Sequence, residues 1–112
     1  NKYRTGQQVA SIMGGLGRSF YGGYAEYCLV PLPIVSRFKS SLPWSVLGII
    51  PEKFRTVSGW LNEALEIKKD DTLLIRGGTS SIGMLACQLA KSNGLIVVAT
   101  TRNEPKSQAL FR

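Results

Sequence analysis

Apolar and polar positions follow their clearest pattern between residues 72 and 102, TLLIRGGTSSIGMLACQLAKSNGLIVVATTR. A short apolar run, Leu73, Leu74 and Ile75, predicts a strand over 72–75. Ile82, Leu85, Ala86, Leu89 and Ala90 then recur at three- and four-residue spacing, with Gln88, Lys91 and Ser92 opposite, which predicts an amphipathic helix over 82–93. Gly94 follows Asn93 where such a helix should stop. The next run, 95–99, is apolar at consecutive positions, the mark of a strand covered on both faces of a parallel sheet. Together these pieces predict a βαβ unit.

The first third alternates with the period of β-structure. A strand is expected over 8–13, with Val9, Ser11 and Met13 on one face and Ala10 and Ile12 on the other. Gly14, Gly15 and Gly17 then form a loop expected to be mobile, and Gly22-Gly23 leads into a second strand over 24–30, closed by Pro31 and Pro33. A third strand is expected over 34–38 and a short helical segment over 42–47. Pro51 opens a longer helix carrying Phe54, Val57, Trp60, Leu61, Ala64 and Leu65, in which the spacing of Phe54, Val57 and Leu61 gives a buried face. Gly59 either weakens that helix or marks a close approach. Residues 68–71, KKDD, form a polar turn before the central strand.

The chemistry lies in the turn between the 72–75 strand and its helix. A right-handed crossover places that turn at the carboxyl edge of the strand, where unpaired N–H groups and the positive end of the helix dipole face outward. Gly77, Gly78, Thr79, Ser80 and Ser81 are small enough for a diphosphate to approach the backbone, followed by Ile82 and by Gly83, which lets the helix pack closely. The dinucleotide fingerprint G-x-G-x-x-G reads here as Gly78-x-Ser80-x-x-Gly83, with serine at the middle position. The bland alternative is a glycine-rich turn that binds nothing. An NAD site ordinarily has an acidic residue about 20 residues beyond the glycines. This strand ends instead in Thr100, Thr101, Arg102 and Asn103, with no carboxylate before Glu104. Arginine and hydroxyl groups suit a 2′-phosphate, and Lys106 adds a second positive charge nearby. The expected cofactor is therefore NADPH in preference to NADH, against the plainer reading of Arg102 and Lys106 as solvated residues at a helix start.

Composition narrows the classes further. The chain has 112 residues, 44% hydrophobic, about one domain's worth of sequence. It starts without Met or a signal-peptide pattern, and no apolar run reaches the roughly 18 residues of a membrane span, so no membrane partner is expected. Cys28 and Cys87 stand apart in apolar surroundings and read as buried thiols in a reducing compartment. There is no histidine, which removes His-based triads and H-E-x-x-H zinc sites from this segment. The net charge of +7 raises nucleic acid as a partner, but the basic residues are scattered and no aromatic platform accompanies them.

With these residues in view, the glycine loop, GGYAEYCLVP, the proline-started helix and KKDDTLLIRGGTSSIG resemble the medium-chain dehydrogenases/reductases, in particular their quinone oxidoreductase-like branch. The likeness runs from the turn at Gly6 almost to the end. GGTSSIG lacks the second glycine of the short-chain T-G-x-x-x-G-x-G pattern, and a β-rich segment precedes it, so the medium-chain pattern fits better. The resemblance implies an α/β chain: the C-terminal part of a GroES-like catalytic domain over 1–50, a connecting helix and turn over 51–71, and the start of a Rossmann domain over 72–112. It implies an internal piece of a protein of roughly 300 residues or more. It also implies that the 77–83 turn contacts the cofactor diphosphate, that Thr101, Arg102 and Lys106 contact the adenosine 2′-phosphate, and that Thr56 lies near the nicotinamide. The plain alternative for Thr56 is a mid-helix hydroxyl bonded to its own backbone. The zinc branch places a cysteine ligand near the helix after Pro51, where none stands here, so a zinc-free enzyme is expected. The implied activity is hydride transfer from NADPH to a quinone or enone in the cytoplasm, with a homodimer left open and the catalytic residues unassigned. Met13 and Phe20 are expected to line the substrate cleft, and Tyr21 and Tyr24 are either proton donors or packing residues. The alternatives are a zinc-dependent alcohol dehydrogenase-like member and a non-catalytic nucleotide- or RNA-binding relative.

Overall fold

The computed structural model describes residues 2–110; Asn1, Phe111 and Arg112, with the outer ends of the two expected domains, lie outside the described residues. The chain is α/β, with two small two-stranded sheets, and it divides into two compact units, residues 1–52 and 53–112.

In the first unit β1 (Val9–Ser11) pairs antiparallel with β2 (Val35–Arg37), in the register Val9 to Arg37 and Ser11 to Val35. The amide side chain of Gln8 extends this ladder by one rung: its Nε2 donates to Ser40 O at 3.0 Å and its Oε1 accepts from Ser40 N at 2.8 Å. The first strand is shorter than expected because Met13 has φ +62° and begins a run of left-handed residues with Gly14, Gly15 and Gly17. That loop is internally bonded, with Leu16 N donating to Met13 O and Gly17 N to Phe20 O, both at 3.0 Å. The expected strand over 24–30 does not form. A strand needs a neighbour to accept its backbone bonds, and among the described residues no strand pairs with this segment: the sheet is β1 and β2 alone. Tyr24, Tyr27 and Leu29 are fully exposed on this irregular segment. Its cysteine follows: Cys28 is exposed, not buried as expected, and its thiol donates to Tyr21 O at 3.4 Å. Residues 32–34 form a single 3₁₀ turn before β2, and α1 (Trp44–Leu47) buries Leu47.

The helix opened by Pro51 is α2 (Ile50–Ser58), and it changes into a π-helical turn over Gly59–Ala64. Leu65 N donates to Trp60 O and Ile67 N to Leu61 O, the longer-range bonds of a widened turn. Val57 and Leu61 are buried, but Phe54 is 46% exposed, which corrects its expected place on the buried face. Gly59 marks the junction of the two helical forms and approaches nothing closely.

The second unit holds the expected crossover. Here β3 (Thr72–Arg76) runs parallel to β4 (Ile96–Thr100), with Leu73 opposite Val97 and Ile75 opposite Ala99, and α3 (Ser81–Ser92) connects them. Asn93 and Gly94 end the helix, Gly94 at φ +79°, a left-handed position glycine adopts at little cost. Val57, Leu61 and Ala86 form the core, with Leu73, Ile75, Ile82 and Leu89 packed around them. The expectation of cover on both faces is corrected. Leu73, Ile75, Val97 and Ala99 turn inward, whereas Leu74, Ile96 and Val98 lie on the exposed face. One crossover helix shields one face of a sheet, and among the described residues no second layer lies on the other.

Candidate functional site

Three features of the sequence build the turn after β3. Gly77 adopts φ +78°, which an L side chain resists, and turns the chain out of the strand. A Cβ on Gly77 would meet nothing within 4 Å, so the space beside this residue is open. Gly78 and Gly83 are buried close to one another. A Cβ on Gly83 would strike the carbonyl oxygen of Gly77 and approach Gly78 Cα to 2.8 Å, and one on Gly78 would approach Ala99 Cβ to 2.7 Å. The helix start can lie against the turn, and the turn against β4, only because these side chains are missing.

Ser80 explains the departure at the middle of the fingerprint. It is the N-cap of α3, and its Oγ accepts the N–H of Gly83 at 3.0 Å. Met84 N donates to Ser80 O, Ser80 N to Gly77 O, and Gly78 N to Thr100 O at 2.8 Å. Among the described residues, the N–H groups of Thr79, Ser81 and Ile82 have no partner. Three free donors at the positive end of a twelve-residue helix suit an anionic group.

The strand end meets the turn directly. The Oγ1 atoms of Thr79 and Thr101 are 2.9 Å apart, and Thr101 Oγ1 also accepts Asn103 N at 3.2 Å. Asn103 Oδ1 accepts Lys106 N at 3.1 Å, at the start of a 3₁₀ helix over Glu104–Leu110. Arg102 and Lys106 are exposed. The residues read from the sequence as contacts to a diphosphate and to an adenosine phosphate thus converge on one end of the sheet. Thr56 sits apart from them in sequence, half-buried in α2 next to the core residue Val57. The Thr79–Thr101 contact was not foreseen; only the two hydroxyls' places at the two strand ends hinted at it.

In the first unit Met13, Phe20, Tyr21 and Tyr24 line one open groove with Phe38 and Trp44. Of the two thiols, Cys87 is half-buried on α3, which corrects the expectation of full burial. Burial pushes its pKa up, partly offset by the charge of Lys91 and by a backbone hydrogen bond. A raised pKa leaves less thiolate at neutral pH, and thiolate is the reactive form. Iodoacetamide is therefore expected to label Cys28 well before Cys87, with the Cys87 rate still climbing above the pH at which an ordinary thiol levels off. Peptide mass spectrometry over a pH series measures this; equal rates at the two positions would contradict it.

No family model matches the chain. Among curated proteins, a probable quinone oxidoreductase of Schizosaccharomyces pombe is 27% identical over 82% of this chain and 28% of its own length. The quinone oxidoreductase of Pongo abelii is 30% identical over 91% of this chain and 36% of its own length. A highly reducing polyketide synthase of Penicillium oxalicum is 31% identical over 97% of this chain but 4% of the synthase. Among solved structures, an alcohol dehydrogenase superfamily protein from Novosphingobium aromaticivorans superposes with a TM-score of 0.84 and 25% identity, over 99% of this chain and 33% of that one. An NAD-dependent alcohol dehydrogenase reaches 0.74 at 28% identity, over 86% and 28% of the two chains. The Escherichia coli quinone oxidoreductase solved with NADPH reaches 0.63 at 24% identity, over 70% and 24%, a likeness of fold. The resemblance to the medium-chain dehydrogenases/reductases of the alcohol dehydrogenase superfamily therefore holds in sequence and in structure. Within that class the chain is similar to the quinone oxidoreductases, and it spans roughly a third of their length.

Proposed function

We propose that this chain is the cofactor-proximal part of an NADPH-dependent oxidoreductase of the zinc-free quinone oxidoreductase type. The observation that carries the reading is the 77–83 turn at the carboxyl edge of β3. Its free Thr79, Ser81 and Ile82 N–H groups stand at a helix start drawn close by Gly83. The turn fits a diphosphate: three N–H donors are unpartnered, Gly77 leaves space beside the backbone, and no acidic side chain stands among residues 77–83.

In this reading residues 1–50 are the end of a GroES-like catalytic domain, 51–71 the connection, and 72–112 the first βαβ unit of a Rossmann domain. The bare apolar face formed by Leu74, Ile96 and Val98 supports a sheet meant for helices on both sides. The bound dinucleotide supplies the hydride, which passes from its nicotinamide to a quinone, enone or similar carbonyl acceptor. The chain's own residues do the rest. The turn holds the diphosphate, Arg102 and Lys106 neutralise the 2′-phosphate at the strand end, and Thr56 lies toward the nicotinamide. The groove with Met13, Phe20, Tyr21 and Tyr24 provides an aromatic surface suited to a flat acceptor. The zinc-free branch is chosen because residues 51–71, where the zinc branch would carry a cysteine ligand, contain neither cysteine nor histidine. The likeness to highly reducing polyketide synthases favours a second setting, the same reduction performed as one part of a larger synthase.

The full-length protein should oxidise NADPH when offered quinones or enones, followed by loss of nicotinamide absorbance, with no added metal and no inhibition by a chelator. Loss of turnover to the chelator would restore the zinc-dependent alternative. Absence of turnover combined with salt-sensitive RNA binding would favour the non-catalytic one.

A further inference from the structure

Two ties join the 77–83 turn to the end of β4. One is a backbone bond, Gly78 N to Thr100 O at 2.8 Å. The other is the hydroxyl pair of Thr79 and Thr101 at 2.9 Å, half-buried and bridging 22 residues of sequence. From Thr101 the connection continues: its Oγ1 accepts Asn103 N at 3.2 Å and lies 3.4 Å from Asn103 O. A hydroxyl has one proton and two acceptor positions. With Thr79 as donor to Thr101, the Thr101 proton turns to Asn103 O, and the hydroxyl oxygen has both acceptor positions filled. Thr101 is then occupied on the side of the chain and has no proton left for a phosphate oxygen. Thr101 and its partner Asn103 flank Arg102 in sequence, so the line from Thr79 through Thr101 to Asn103 ties the Arg102 backbone to the turn.

We propose that the Thr79–Thr101 hydroxyl pair is a clasp that sets the preference for a 2′-phosphorylated dinucleotide, acting by positioning Arg102 and not by touching the phosphate. The proposal rests on the reading of the 77–83 turn as the dinucleotide site. It assigns Thr101 a different task from the phosphate contact expected from its place in the sequence. The backbone tie at Gly78 survives loss of either hydroxyl, so the hydroxyl-free variants should fold.

The test is titration of NADPH and NADH into the full-length protein, for wild type, Thr79→Val, Thr101→Val, the double variant and Thr79→Ser. One neutral hydrogen bond corresponds to roughly a two- to tenfold change, so each valine variant should reduce the ratio of NADH to NADPH dissociation constants by about that factor. The double variant should lose no more than Thr101→Val alone, because that substitution already removes the shared bond together with the Asn103 contact. Thr79→Ser should restore the ratio. An unchanged ratio in Thr79→Val, or losses that add in the double variant, would overturn the clasp while leaving the dinucleotide site intact. A wild type that binds neither dinucleotide would instead overturn the site and the clasp with it. Should Thr79→Val fail to fold, Thr79→Ala removes the same hydroxyl and poses the same question.

Discussion

Arg102→Ala is expected to weaken NADPH binding by roughly ten- to a hundredfold and to reduce NADH binding far less. The 2′-phosphate is the group by which the two cofactors differ, and a charge-assisted bond to it contributes on the order of 1.5 to 3 kcal/mol. Every 1.4 kcal/mol is about a factor of ten in affinity. Arg102 is exposed just beyond β4, in a bend held on one side by Thr101 and on the other by the Asn103 turn into the 3₁₀ helix. A guanidinium there is free to swing toward an anion while its backbone stays in place. Lys106, on that 3₁₀ helix, is a less directional charge and should show the smaller loss on substitution. Dissociation constants for both cofactors, measured on wild type and on Arg102→Ala in the full-length protein, decide the matter. Equal losses for the two would assign Arg102 to the support of the fold. A wild type already favouring NADH would remove the case for NADPH.

Gly83→Ala should destabilise the second unit by about 2 kcal/mol net, with steric strain of about 3 kcal/mol set against the roughly 1 kcal/mol that alanine gains over glycine inside a helix. The added methyl group would press on Gly77 O and stand 2.8 Å from Gly78 Cα and 3.0 Å from Gly78 C, all backbone atoms. Backbone cannot rotate aside as a side chain does, so α3 must move off the turn, carrying the free N–H groups of Ser81 and Ile82 with it. Gly59→Ala is the contrasting case. A Cβ at Gly59 meets nothing within 4 Å, and its φ lies outside the left-handed region, so a gain of roughly 0.5 to 1 kcal/mol is expected. Urea unfolding midpoints at constant slope report both changes. An unmoved midpoint for Gly83→Ala would mean that the helix start is not held against the turn.

The central crossover was legible because its signals are local. Apolar residues at helical spacing between two short apolar runs define a βαβ unit whatever lies around it, and the polar turn falls between the first strand and the helix. The glycines were equally legible, since the pattern demands a left-handed turn at one and close approach at another. Residues 24–30 were not. Their composition suits a strand, but a strand exists only with a partner, and which segments pair is a long-range matter that no local pattern records. Cys28 was misjudged for the same reason, because an apolar neighbourhood in sequence says nothing about whether another element covers it. Phe54 was misplaced because helical spacing tells which residues share a face, and not how far along that face other elements cover it.

By itself, then, the sequence determined the parallel strand pair, the small-residue turn at its carboxyl edge and the absence of acid at the end of β4. All three depend on residue type and short-range spacing. Only the tertiary structure decided what the hydroxyls do. Ser80 caps α3 with its side chain, and Thr101 lies 2.9 Å from Thr79, a residue 22 positions away. A hydroxyl can serve a ligand, its own backbone or a distant side chain with equal chemistry. Which of these it serves is set by the atoms that folding brings within hydrogen-bonding distance.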